Sequence, residues 1–369
     1  MIHPGLTRER LRGDIVRLAH RGLSVAEYAR LVGATLSRAV AAEGSCLMTV
    51  DPATMLPTAE FVENGLPAPT LLRMIDIELR EPDYNKWVHL APKCPAASLS
   101  DVTAGDLDRS LRQREIRRPG GFADELRVVL ASGTGTWGQL TLFRAARRPF
   151  FVDDDVHLVS SVAGLVADGL RRAMLLGEAR RGDGDIGMLV LDAADEVSMA
   201  NPSAQRWLDA LGTGERPRSR LPLVVPAVAR QARALSRLAP GPTEARPARA
   251  RVRTASGEWL IVRGSVLGSA PDAPVAVLIE EARQAEMAPL MADAYGFSTQ
   301  ERRVTELVAQ GLSTKQIADR LHLSAYTVQD HLKSIFTKSG SASRGDLVAR
   351  LFHDHFADAL TSGETPDRT

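Results

Sequence analysis

Cysteine is nearly absent. Cys46 and Cys94 are the two in 369 residues, too few for a disulfide framework and in keeping with a reducing compartment. Long apolar runs are missing as well. The most apolar window, 156–176, is interrupted by Asp168, Arg171 and Arg172, which excludes a membrane span there. The first residues lack the apolar core and cleavage pattern of a signal peptide, so a soluble, cytoplasmic protein with no membrane partner is expected. Net charge is only +1, so no global basic field marks a nucleic-acid binder, although a small module needs only local charge. Catalytic signatures are absent too: no GxSxG, no Walker A loop, no zinc-spaced Cys/His set. Neither an enzyme nor a bound cofactor or metal is expected.

What the chain does contain is concentrated near its end, from Phe297 to Phe352. Four short helices are predicted there, each with its own start signal. Ser298 with Glu301, and Ser313 with Gln316, have capping-box spacing, in which each side chain satisfies a backbone donor three residues away. Ser324 and Ser343 are N-cap candidates for the other two helices. Gly311 and Gly340 stand where the first and third should stop. Val304, Leu307 and Val308 form one apolar stripe, Ile317, Ala318 and Leu321 a second, and Val328, Leu332, Ile335 and Phe336 a third. No helix can bury such a stripe alone, so an all-α bundle of four helices follows. The tight join His322-Leu323-Ser324 has helix-turn-helix spacing. With the third stripe turned inward, Tyr326, Gln329, Asp330, Lys333 and Thr337 face outward, a polar run suited to reading base edges in a major groove.

The stretch resembles the LuxR-type DNA-binding domain through the pattern GLS-x-K-x-IA-x-x-L-x-x-S-x-x-TV-x-x-H-x-x-x-IF-x-K, which it carries in register. The resemblance implies double-stranded DNA as partner, with Gln329, Asp330 and Lys333 contacting bases. Thr314, Lys315, Tyr326, Thr327, His331, Lys338 and Arg344 then contact phosphate or flank the site. Gln329 and Asp330 depart from the basic residue that commonly follows Thr-Val in the family, which leaves the operator open.

Two mixed α+β segments precede the bundle. Helical periodicity over 8–42, broken at 20–24, leads into strands at 45–50 and 58–62, a helix over 69–81 and a loop-rich region around Pro92 and Pro95. A hairpin follows, pairing 126–131 with 137–144, and then a long helix over 153–176 with an acidic first turn. Through GSCLMTVD, TWGQLTLFRA and FFVDDDVHLVSSVAGLVADGL this part resembles a GAF domain, a module that binds small molecules, sometimes haem or cyclic nucleotides, or dimerises. The next segment shows strands at 187–192 and 196–200, a helix from Asn201-Pro202 to Leu211, a helix over 226–238 and three strands at 248–254, 259–267 and 275–280. Its opening, GMLVLDAADEVSMANPSAQRWL, is similar to the first half of a PAS domain. The organisation expected is 1–177 GAF-like, 183–283 PAS-like, 284–296 helical linker, 297–358 LuxR-type and 359–369 disordered tail.

Several motifs invite a sharper chemistry than they carry. Gly133 to Gly138 spells GxGxxG, but a strand follows it where a dinucleotide loop needs a helix, so it reads as a hairpin turn. Asp153-Asp154-Asp155 suits a helix start without any metal. His353 and His355 lie at the exposed end of the last helix with no further ligands in sequence. Cys46 reads as strand core and Cys94 as a loop residue near His89, with a redox or haem role as the alternative. Neither the acidic and Lys pattern of a receiver domain nor the aromatic and Asp pattern of a homoserine-lactone site is present.

The reading that follows is a one-component transcriptional regulator, sensing through its first two domains and binding DNA through the last. A homodimer is expected, from the apolar surplus of 156–176 and the paired half-sites of helix-turn-helix proteins. RNA polymerase is a further possible partner, and any small-molecule ligand is left open. The rival is a non-enzymatic sensor or adaptor with DNA contact secondary.

Overall fold

The structure is a computed structural model that describes residues 4–352 apart from 67–69, 92–94, 134, 176–184, 213–220, 238–246, 271, 284–285, 288–289 and 291–294. Cys94, His353, His355, the tail 359–369 and most of the expected linker 284–296 therefore lie outside the described residues. Two compact units emerge, one holding both sheets up to Glu281 and the other the C-terminal helices. No helix among the described residues is long and apolar enough to cross a membrane.

The first sheet contains β1 (Gly44–Val50), β2 (Pro57–Glu63), β3 (Ala96–Ser98), β4 (Phe122–Ser132) and β5 (Gly135–Ala145). It is antiparallel throughout, in the order β2-β1-β5-β4-β3. The expected hairpin is the middle of the long β4–β5 pair, and Gly133 turns it at φ 64°. Helices α1 (Pro4–Ala19) and α2 (Val25–Ala39) precede the sheet, the second opened by the Ser24–Glu27 capping box. The described residues flanking the expected loop-rich region form short regular elements. After α3 (Thr70–Arg80) they include the short helices α4 (Trp87–Leu90) and α5 (Leu99–Val102) and the three-residue β3 between them.

Helix α6 (Asp153–Leu175) corrects one inference. Its apolar surplus is used within the chain: Val159, Val162, Val166 and Leu170 are buried because α6 has α1 and α2 on one side and the sheet on the other. The surplus therefore gives no reason to expect a second copy. Gly169 makes the fit possible, since a Cβ there would lie 2.1 Å from the Tyr28 hydroxyl, which donates to Val166 O at 3.1 Å. Gly169→Ala is expected to lower stability by about 1–3 kcal/mol through overpacking, measured as a shift in urea midpoint at constant slope. A loss below ~0.5 kcal/mol would show that the Tyr28 ring moves aside freely. The acidic first turn has a structural use too, as Asp155 accepts from Arg144 Nη2 at 2.9 Å and Val152 N at 3.1 Å.

The second sheet repeats the strand permutation of the first. Its members β6 (Gly187–Leu191), β7 (Val197–Ala200), β8 (Arg249–Arg253), β9 (Trp259–Val266) and β10 (Val275–Glu281) run β7-β6-β10-β9-β8, again antiparallel. Helix α7 (Pro202–Leu211) starts as its sequence predicts, with Asn201 Oδ1 accepting from Ala204 N at 2.8 Å and Pro202 in the first turn. Helix α8 (Val224–Ser236) lies close on β9, where a Cβ on Gly264 would come within 3.0 Å of Val228 O.

The two sheet domains are joined by ion pairs rather than by strand pairing. Asp51 accepts from Arg251 N and Nη2, both at 2.7 Å. Arg230 on α8 pairs with Asp76 on α3 and with Asp195 in the β6–β7 turn. Apolar contact accompanies the charges: Leu56 belongs to the core of the second domain, and Ile75 and Met48 meet Leu223 and Ala227.

A second charged cluster is internal to the first domain. Arg112, Arg127, Glu125 and Asp83 have fully buried side chains, and Arg117 is nearly so. Glu125 accepts from Arg112 Nε at 2.8 Å and from Arg117 Nε at 2.8 Å. Burial pushes the Glu125 carboxyl up, but the three guanidiniums outweigh burial and hold it far below the usual range. Burial likewise lowers Arg117 to about 10, which leaves it protonated at neutral pH. Cys46 is pushed up to about 12 by burial, so its thiol is not a ready nucleophile.

The C-terminal unit contains α9 (Thr299–Ala309), α10 (Thr314–Leu321), α11 (Ala325–Ser339) and α12 (Arg344–Phe352). All four expected helices form. Val304, Ile317, Val328, Ile335 and Leu347 are fully buried, so one stripe from each helix closes the core. The chain is therefore two α+β sheet domains followed by an all-α helical bundle.

Candidate nucleic-acid interface

Local capping sets the geometry of the bundle. Ser298 and Ser313 each make the full reciprocal box with Glu301 and Gln316. Helix α10 ends at His322, a left-handed residue with φ 54°, and Leu323 N returns to Ala318 O at 2.9 Å. This non-glycine left-handed residue turns the chain within three residues. Ser324 then starts α11, its Oγ accepting from Thr327 N at 3.0 Å. At the far end Gly340, φ 66°, closes α11.

Val328, Leu332 and Ile335 anchor α11 in the core, and the opposite face is open. Tyr326 is 72% exposed, and Gln329, Asp330, Lys333 and Thr337 are exposed along the same stripe. Gln329, Asp330 and Lys333 make no hydrogen bond or ion pair among the described residues. An open groove is lined by Thr314 of α10 and by Gln329, Lys333 and Thr337 of α11. The three residues expected at bases thus share one face. An amide, a carboxylate and an ammonium, uncommitted within the fold, together carry both donors and acceptors, the groups that reading a base edge requires.

The residues expected at phosphate divide into two groups. Lys315 and Tyr326 are exposed, and His331 and Thr327 are half-buried beside the open stripe. Arg344 and Thr314 are tied to each other: Arg344 Nη2 donates to Thr314 Oγ1 at 2.8 Å while its Nη1 donates to Leu312 O at 2.7 Å. Lys338 is committed more fully. Its Nζ lies 2.9 and 2.6 Å from the two Glu301 oxygens and 3.3 Å from Gly296 O. In this arrangement Lys338 and Arg344 hold α9, α10 and α11 in place.

Glu301 is the residue that sequence reasoning undervalued. It appears there as half of a capping box, whereas the folded bundle also gives it Ser334 Oγ at 2.6 Å and the Lys338 ammonium. Burial raises its carboxyl, but the bonds from Lys338 and Ser334 outweigh burial and bring it to about 2. The i, i+4 spacing of Ser334 and Lys338 on α11 was the available signal.

Residues 296–351 hold eight Lys and Arg against five Asp and Glu, so the local field is positive although the chain is nearly neutral. Lysine itself is scarce. The five in the chain are Lys86, Lys93, Lys315, Lys333 and Lys338, and three of them belong to this bundle.

Comparison with known proteins agrees with this geometry. Residues 296–351 match the family model for bacterial regulatory proteins, luxR family, and form a helix-turn-helix domain of that type. A Mycobacterium bovis protein assigned by name to the HTH-type transcriptional regulators is 54% identical over 48 residues, which is 13% of this chain and 5% of that protein. Response regulator Rre1 of Synechocystis is 42% identical over 52 residues, 14% of this chain and 22% of the relative. The monoamine regulon transcriptional regulator of Klebsiella aerogenes is 38% identical over 55 residues, 15% and 24% of the respective chains. The chain thus spans between a twentieth and a quarter of these relatives, all within one domain. Among solved structures, Escherichia coli SdiA aligns over 92% of this chain and 94% of its own at 12% identity with a TM-score of 0.35. The cyanobacteriochrome TePixJ GAF domain aligns over 43% of this chain and 96% of its own at 18% identity, TM-score 0.32. At those scores neither superposition assigns the sheet domains to a family.

Proposed function

We propose that the protein is a sequence-specific transcriptional regulator that inserts α11 into the major groove of double-stranded DNA. The observation that carries this reading is the stripe of Gln329, Asp330 and Lys333, exposed and unpaired on the helix that follows the turn. Gln329 pairs with adenine, Lys333 with guanine, and Asp330 accepts from a cytosine amino group. Lys315, Tyr326, Thr327 and His331 contact the flanking phosphates, and Lys338 and Arg344 reach them with whatever donors their internal bonds leave free. The two sheet domains serve as GAF-like and PAS-like sensory modules, their common strand order supporting the pairing of names. A homodimer reads paired half-sites. A gel-shift salt titration on genomic fragments tests the whole reading: selective binding whose affinity falls steeply with salt is expected. Affinity for every fragment alike, or for none at low salt, would overturn it.

Asp330 offers the sharper test. A carboxylate facing DNA repels phosphates and is retained at a cost unless it reads a base. Asp330→Ala is expected to lose about 1–3 kcal/mol of discrimination at one operator position, measured with single-base operator variants at one salt concentration. A uniform gain in affinity across all variants would show repulsion instead of reading.

A further inference from the structure

Tyr326 brings the one aromatic ring to the open stripe of α11. Its neighbours along that stripe, Gln329, Asp330, Lys333 and Thr337, are exposed and polar. At 72% its exposure is the highest among the exposed large hydrophobic residues described. Its hydroxyl makes no hydrogen bond among the described residues. A single exposed aromatic is ordinary on a protein surface. What sets this one apart is its place, three residues before Gln329 and four before Asp330, a spacing that puts all three side by side on one helix face.

The backbone beneath the ring is fixed. Ser324 Oγ accepts from Thr327 N at 3.0 Å and lies 2.9 Å from Thr327 Oγ1, and Val328 is fully buried. Tyr326 therefore stands in the first turn of α11 between a cap and a core anchor. A tyrosine has few side-chain torsions to freeze, so ordering it at an interface costs little entropy. The first turn of a recognition helix is also where base contacts concentrate. The hydroxyl at the tip suits a flanking phosphate, but the ring behind it cannot hydrogen-bond a base edge. Major-groove edges present donors, acceptors and a single apolar group, the C5-methyl of thymine.

We infer that Tyr326 is a specificity-determining residue whose ring packs on the methyl of one thymine, beside the bases met by Gln329 and Asp330, while its hydroxyl reaches the adjoining phosphate. The inference rests on the DNA-binding reading of α11 and adds a fourth base contact to the three named there. Its expected worth is about fourfold in affinity, the value of burying one apolar carbon.

A duplex selected by the full chain from a randomised pool supplies the probe. Each dT in it is replaced singly by dU, which removes the methyl and keeps every hydrogen-bonding group. Anisotropy titrations at one salt concentration are expected to find at least one dT whose replacement weakens binding about fourfold. In Tyr326→Ala, dT and dU at that position should bind alike. Tyr326→Phe keeps the ring and should keep the ratio, whereas Tyr326→Lys keeps a phosphate ligand and should lose it. The side chain is exposed, so none of these changes disturbs the core of the bundle. Absence of any methyl effect, an effect that survives Tyr326→Ala, or a ratio lost in Tyr326→Phe would each overturn the inference. Unchanged affinity of Tyr326→Ala for the selected duplex would overturn it too, leaving the ring for a protein partner. Selective, salt-dependent binding without a methyl effect sinks this inference alone, and failure to select any duplex sinks the DNA-binding reading with it.

Discussion

Arg112→Met is expected to cost about 3–5 kcal/mol of stability at neutral pH, the range for removing one member of a buried ion cluster. The side chain is fully buried and serves Glu125, Asp83 and the Tyr84 carbonyl together, the last at 2.9 Å from Nη2. Methionine fills much of the volume but leaves Asp83 without its 3.0 Å partner and Glu125 with two guanidiniums in place of three. Glu78 joins the cluster through Arg112 and Arg127, so three guanidiniums facing three carboxylates become two facing three. Denaturant unfolding followed by tryptophan fluorescence reads this, with Trp87 and Trp137 reporting on this domain and Trp207 and Trp259 on the second. Arg118→Met is the control. Arg118 pairs with Asp108 at the surface, and loss of such a pair costs about 0–1 kcal/mol. Equal effects of the two variants would mean that the buried cluster contributes no more than a solvated one.

The second large effect concerns Glu301. Glu301→Ala removes a cap, a hydroxyl bond and an ion pair at once, and a loss of about 2–4 kcal/mol is expected from the bundle. Glu301→Gln keeps the capping geometry and removes the charge. Because the folded carboxyl sits near 2, below the ordinary value of 4.5, its contribution is complete above about pH 4.5. It is lost as pH falls through about 2. Hydrogen exchange of amides in α9 and α11 should therefore show protection falling between those limits in the natural protein. In Glu301→Gln that dependence should be reduced. An unchanged acid profile in the Gln variant would assign the transition to other carboxylates.

The bundle was legible in the sequence because its information is local. Ser298, Ser313 and Ser324 each act within three residues, and the stripes repeat within one helix. The exposed stripe of the recognition helix followed from the same periodicity, by subtraction. The buried cluster was not legible, since residues 78, 83, 112, 117, 125 and 127 are joined only by tertiary folding, and charged residues in a sequence read as surface. The helix α4 carrying Trp87 was hidden for the same reason, in a region whose prolines suggested loops. Helix α6 misled in the opposite direction. Its stripe was read correctly as apolar, but periodicity cannot say whether a stripe is covered by the same chain or by another.

The scarcity of lysine has a practical consequence for covalent chemistry. Reagents that acylate amines find few side-chain targets. Lys86 is half-buried with its Nζ on Glu81 O at 2.8 Å, and Lys338 is held by Glu301. The remaining described lysines, Lys315 and Lys333, are exposed and unpaired, and both lie where DNA is proposed to dock. An acyl group on either removes a positive charge that a phosphate or guanine would meet. Among the described lysines, the exposed, unpaired amines are thus the two on the surface proposed to meet DNA, so acylation is expected to weaken binding there, while guanidiniums carry most ion pairs of the fold beyond reach of the same chemistry.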